Sequence, residues 1–120
     1  MQAHANDLRA EVANDWTHLV ETPQHPDDQT LDAFVHQAAT NWRECSLRPA
    51  VRALLTFTEK MTLTPAEMAR EDIAVLRDAG WSDRAVHDAV QVIAYFCYIN
   101  RVADALGVEL QTDRPIWGRE

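Results

Sequence analysis

The chain has 120 residues, 47% of them apolar, and carries 19 acids against 11 bases for a net charge of −8. That is apolar matter enough for one ordinary core, and too much for a disordered chain. The acid excess excludes a phosphate-backbone partner, which would need a basic face, so no nucleic-acid partner is expected.

Glycine is scarce, hairpin turns are missing, and Ala, Leu, Arg and Glu dominate, so the expected class is all-α. A first helix is predicted from about Ala3 to Val20, carrying Leu8, Val12, Trp16 and Leu19 or Val20 at helical spacing. It has no capping residue ahead of it. Pro23 and Pro26 end it. A second helix covers about Asp28 to Trp42, with Leu31, Phe34, Val35 and Ala38 on one face, and a third runs from Pro49 to about Leu63. Thr64-Pro65-Ala66-Glu67 reads as a capping box opening a fourth helical region that reaches Ala79, with a possible break near Arg70 and Gly80 as its C′ residue.

Ser82 caps a fifth helix, Asp83 to Leu106, which Gly107 ends. Between Val86 and Ile99 it is apolar almost all round, so it is expected at the buried centre of the fold or of an oligomer. The uncharged stretch Ala89 to Asn100 has 12 residues, short of the roughly 20 that span a bilayer, so no membrane partner is expected. The whole chain reads as a single helical domain with an extended tail over 108–120, where Ile116-Trp117 is expected to dock on a neighbour. The two cysteines are too few for a secreted disulfide framework, and no leader pattern opens the chain, which points to the cytoplasm.

Cys97 lies midway along the most apolar helix, where burial makes a thiol inert. Cys45, between Arg43 and Arg48, is the better placed for a thiolate, although plain packing is the commoner fate of a lone cysteine. His18, His25 and His36 lack the spacing of helical metal ligands and read as surface residues, and His87 likewise. No metal or cofactor is expected. Arg101 and Asp104, three apart on the fifth helix, can pair on one face and, with Asn100, are expected to form an internal polar network.

In the C-terminal half, LLTFTEKMTLTPAEM is followed by DIAVLRDAGWSDRAVHDAVQVIAYFCYINRVADALGVEL. These stretches resemble the alkylhydroperoxidase AhpD-like family of the carboxymuconolactone decarboxylase superfamily, in its peroxidase-related branch. The positions carrying the likeness are Ala53 to Thr62, Ala79-Gly80, Ser82-Asp83, Tyr95-Phe96, Asn100-Arg101, Ala103-Asp104 and Leu106 to Leu110. It spans about Pro49 to Leu110 and consists of packing and capping residues. It implies an AhpD-like helical bundle that forms homo-oligomers and an antioxidant, thiol-dependent reduction of hydroperoxides.

The redox site that the resemblance implies is a Cys-x-x-Cys at a helix start, a His four residues after the second Cys, a following H-x-x-x-LR stretch, and a Glu further upstream. His4, Leu8 and Arg9 fit the downstream part. The two cysteines would then fall ahead of Met1, so the expectation is a chain without its thiol segment, through a misplaced start codon or a real loss. In such a site a thiolate attacks a peroxide oxygen and becomes a sulfenic acid as the O–O bond breaks and an alkoxide leaves. The second thiol displaces water to close a disulfide, which a thiol reductant reopens. His4 could move only the proton, and is the candidate relay remnant. The alternatives are a non-catalytic helical oligomer serving as an interaction or small-ligand scaffold and, more weakly, a carboxymuconolactone decarboxylase-like activity resting on fold analogy.

Overall fold

The computed structural model describes residues 2–22 and 24–107, with side chains from Leu8 onward. The expected tail over 108–120 and the side chain of His4 lie outside the described residues. Every regular element among them is helical: α1 (Gln2–Asn14), α2 (Trp16–Leu19), α3 (Asp28–Asn41), α4 (Pro49–Leu63), α5 (Arg70–Asp78) and α6 (Asp83–Ala105), with 3-10 turns at Trp42–Glu44 and Pro65–Glu67. The helices gather into two compact units that divide between Arg48 and Pro49.

In the first unit the expected single helix is two. Asp15 sits at φ −97°, ψ 9° and interrupts it, its carbonyl accepting from the His18 and Leu19 amides. The apolar spacing is nevertheless used as expected: Val12, Trp16 and Val20 are buried against Leu31 and Val35 of α3. Trp16 meets Phe34 edge-on, with ring centroids 5.1 Å apart and planes at 71°. Asp27 opens α3 by accepting from the Thr30 amide at 2.7 Å. Arg9 ties α1 to α3, donating from Nε to Asp32 at 2.6 Å and from Nη2 to Asp28 at 2.8 Å. The segment after α3 is fastened back through Arg48, whose amide bonds the Leu19 carbonyl and whose Nε bonds the Thr17 carbonyl.

The second unit is built on α4, α5 and α6. Phe57, Leu76, Val86 and Ile93 form its buried core, with Leu54, Met61, Ile73 and Trp81 packed around them. The indole N–H of Trp81 donates to the Ala50 carbonyl at 2.8 Å, so this half-buried ring packs on the core without an orphan donor. Four threonines of the α4 region, Thr56, Thr58, Thr62 and Thr64, each donate to the carbonyl four residues earlier.

Thr64 therefore does not act as the expected capping box. Its hydroxyl turns back to Lys60, and Pro65–Glu67 is only a 3-10 turn with no side-chain cap. The helix proper starts at Arg70, where the Asp72 carboxylate accepts from the Ala69 amide at 2.8 Å. Its end follows the sequence closely. Gly80 has φ +104°, its amide bonds the Arg77 carbonyl, and the Trp81 amide bonds that of Leu76, which is the paired closure of a Schellman motif. Ser82 then caps α6, accepting from the Ala85 amide at 3.1 Å, and Gly107 terminates it at φ +64°.

Helix α6, 23 residues and about 35 Å long, is not the buried centre of this chain. Only Val86 and Ile93 are buried along it, while Val92, Tyr95, Phe96, Tyr98, Ile99, Val102 and Leu106 are exposed. Two shorter helices cover one stripe of it and leave the opposite stripe open. The expected internal network is also absent: Asn100, Arg101 and Asp104 are exposed, and no polar side chain is buried among the described residues. No described helix is long and apolar enough to cross a membrane.

Candidate functional site

The two sulfurs exchange the surroundings expected of them. Cys45 is buried, with 4% of its surface exposed, and its Sγ lies 4.0 Å from the Phe34 carbonyl in the first unit. The arginines that flank it in sequence are turned elsewhere. Arg43 lies over the Trp42 ring, 4.6 Å from its centroid, and Arg48 is spent on the Thr17 carbonyl. Cys97 is half-buried against the core of the second unit, its Sγ 3.8 Å from the Thr62 hydroxyl. Each thiol thus lies against an oxygen, and Cys97 also against the apolar core of the second unit.

His4 falls within α1 by its backbone. Of the two residues that accompany it in the H-x-x-x-LR stretch, Leu8 is 46% exposed and Arg9 is engaged by Asp28 and Asp32. Those carboxylates raise the guanidinium pKa further, the Asp32 hydrogen bond first, so Arg9 is a permanent cation joining two helices. The remaining histidines form no metal cluster among the described residues. His25 places Nδ1 3.0 Å from the Pro26 carbonyl. His87 is exposed, 3.6 Å from Asp88, as its place near the start of α6 suggests.

Polar side chains do converge in the second unit, between α4 and α5. A cleft of about 380 Å³ is lined by Arg52, Thr56, Lys60 and Asp72 over Phe57 and Val75. Lys60 Nζ donates to both oxygens of Asp72, at 2.9 and 3.0 Å. This hydrogen bond, followed by the Ala69 amide, holds the Asp72 carboxyl below the usual carboxylate range. A carboxylate so held is a poor proton acceptor, and the pair is a tie between helices, not an acid and a base with separate tasks. The Thr64-Pro65-Ala66-Glu67 pattern competes with Asp72 as the sequence signal for the start of this helix. The local signal was an acid at the third position of a helix that starts six residues later.

This tie has a pH signature. In the folded chain the pKa values of Asp72 and Asp27 are lowered, Asp27 by the Thr30 amide. Their contribution to stability is therefore complete above the unfolded-state value of about 3.9 and is lost as pH falls through the lower folded-state values. Urea midpoints taken from pH 6 down to pH 2.5 should fall more steeply below pH 4 for the native chain than for Asp72→Asn. Parallel curves would show that the carboxylate contributes nothing differential.

No family model matches the chain, and no curated protein matches it significantly.

Proposed function

We propose that this chain is the helical body of an alkylhydroperoxidase-like, peroxidase-related protein, whose class reduces hydroperoxides with a thiol pair that these 120 residues do not carry. One observation supports the reading above the others. The stretch that carries the resemblance, from Pro49 onward, corresponds to one compact unit with its own core, and its motif residues have distinct structural tasks there. Gly80 takes a positive φ and Ser82 caps α6. Ala53, Leu54 and Met61 pack on the Phe57–Leu76 core, and Gly107 ends the closing helix.

On this reading His4 is the remnant of the proton relay, and peroxide reduction belongs to a product that also contains a Cys-x-x-Cys directly ahead of it. The in-frame DNA upstream of the Met1 codon tests it. The expected result is codons for Cys-x-x-Cys so placed, and hydroperoxide consumption with dithiothreitol by the longer product that disappears when either cysteine becomes serine. A reading frame without the pair, or a longer product that consumes no hydroperoxide, overturns the redox assignment.

A second reading, a non-catalytic helical assembly, is favoured by the open stripe of α6. Val92, Tyr95, Ile99, Val102 and Leu106 recur at alternating spacings of three and four, the pattern with which one helix seats on another. The covering element we propose is α6 of a second copy. From Ala89 to Asn100 the helix has no charge, so two chains of net charge −8 can meet along it without setting like charges against each other.

A further inference from the structure

The crossing from α4 to α5 borders a second opening, which shares Phe57 with the first. Thr64 to Ala69 runs as a 3-10 turn followed by extended residues. Pro65, Met68 and Ala69 of this crossing line a groove of about 440 Å³ together with Phe57, Met61, Ile73 and Val90. That volume falls within the range of small-molecule sites, roughly 300 to 1,000 Å³. Two methionines in so few lining residues give an adaptable apolar wall, suited to a flexible chain more than to a rigid ring.

Among the lining residues one is charged, Arg70. Lys60 is taken up by Asp72 and Arg77 by Asp83, but Arg70 makes no ion pair or hydrogen bond with any described residue. An apolar trough with a single unengaged guanidinium among its lining residues is complementary to an aliphatic chain that ends in one negative charge. A planar guanidinium matches a carboxylate through two parallel hydrogen bonds. A phosphate dianion fits less well, since Glu67 and Glu71 are close to Arg70 in sequence and no second cation lines the groove.

We propose that this groove binds an unbranched aliphatic monocarboxylate, its chain laid along Met61, Met68 and Phe57 and its carboxylate held by Arg70. The proposal needs no sulfur and no pairing of α6, so it stands or falls apart from both readings above.

The test uses the full chain with methyl-labelled methionine, titrated with decanoate below its micellar range and followed by NMR. The Met61 and Met68 methyl signals should shift and saturate. Decanol, which has the same chain without the charge, should bind about tenfold more weakly, as should decanoate to Arg70→Glu, the loss expected for one charge-assisted contact. Arg70→Lys should fall between. Arg70 is exposed, so these variants should keep the native circular dichroism, and Met68→Asn offers an independent lesion in the wall that should also weaken binding. Equal binding of decanol and decanoate, indifference to Arg70→Glu, or no saturable shift of the Met61 and Met68 methyls at millimolar decanoate would each overturn the proposal.

Discussion

Replacing Leu76 with alanine should destabilise the second unit by about 3 kcal/mol, in the range found for leucines removed from closed cores. Leu76 is the one side chain among the described residues with no exposed surface, and it stands where α4, α5 and α6 meet. Its loss leaves a void bounded by Phe57, Val86 and Ile93 that three short helices can fill only by shifting together. Small domains are stable by about 5 to 15 kcal/mol, so this substitution should remove a fifth or more of the total. Leu63, of the same chemistry on α4 but 70% exposed, should cost less than about 0.5 kcal/mol when made alanine. Urea unfolding of the two variants measures the contrast. Similar costs at both positions would mean that the core has been misidentified.

The second large effect is on association. The native chain should sediment as an oligomer at micromolar concentration, and the double variant Tyr95→Glu, Val102→Glu should sediment as a monomer. Both positions are exposed in the single chain, so the helical circular dichroism should not change. Their burial in an assembly would place two carboxylates per chain in an apolar seam without partners, a cost of several kcal/mol per ion. A native chain that sediments as a monomer would remove the second copy from consideration.

How far the residues could be read in advance depended on how local each signal was. The Gly80 turn, the Ser82 cap and the Gly107 stop are each written within a few positions, and each was legible. The break at Asp15 and the failure of Thr64 as a cap were not. In both places the motif competes with a nearby backbone bond, Asp15 with its own carbonyl network and Thr64 with the Lys60 carbonyl. For α6 the sequence left two places open, the centre of the fold or of an oligomer, and only the first is set aside by its exposure in the single chain. Periodicity shows which faces of a helix are apolar but not how many neighbours arrive to cover them, and among the described residues an apolar stripe of α6 stays exposed.

Site chemistry was the least legible, for a related reason. Flanking arginines made Cys45 the better placed of the two thiols, with plain packing the commoner fate, and adjacency in sequence does not set the direction of a long side chain. Arg43 found an indole and Arg48 a carbonyl. The spacing of Arg101 and Asp104 permitted a pair, and no described residue buries them so as to require one. The Arg9 clamp on Asp28 and Asp32, 19 and 23 residues away, gave no sequence signal beyond a basic residue in an acidic region.

That this body serves a sulfur chemistry its own two cysteines do not perform is our proposal. It is tested most directly by tert-butyl hydroperoxide consumption with dithiothreitol, comparing the purified 120-residue chain with Cys45→Ser and Cys97→Ser. The account predicts that all three match the buffer rate. Consumption above that rate by the native chain, abolished by either substitution, would contradict it.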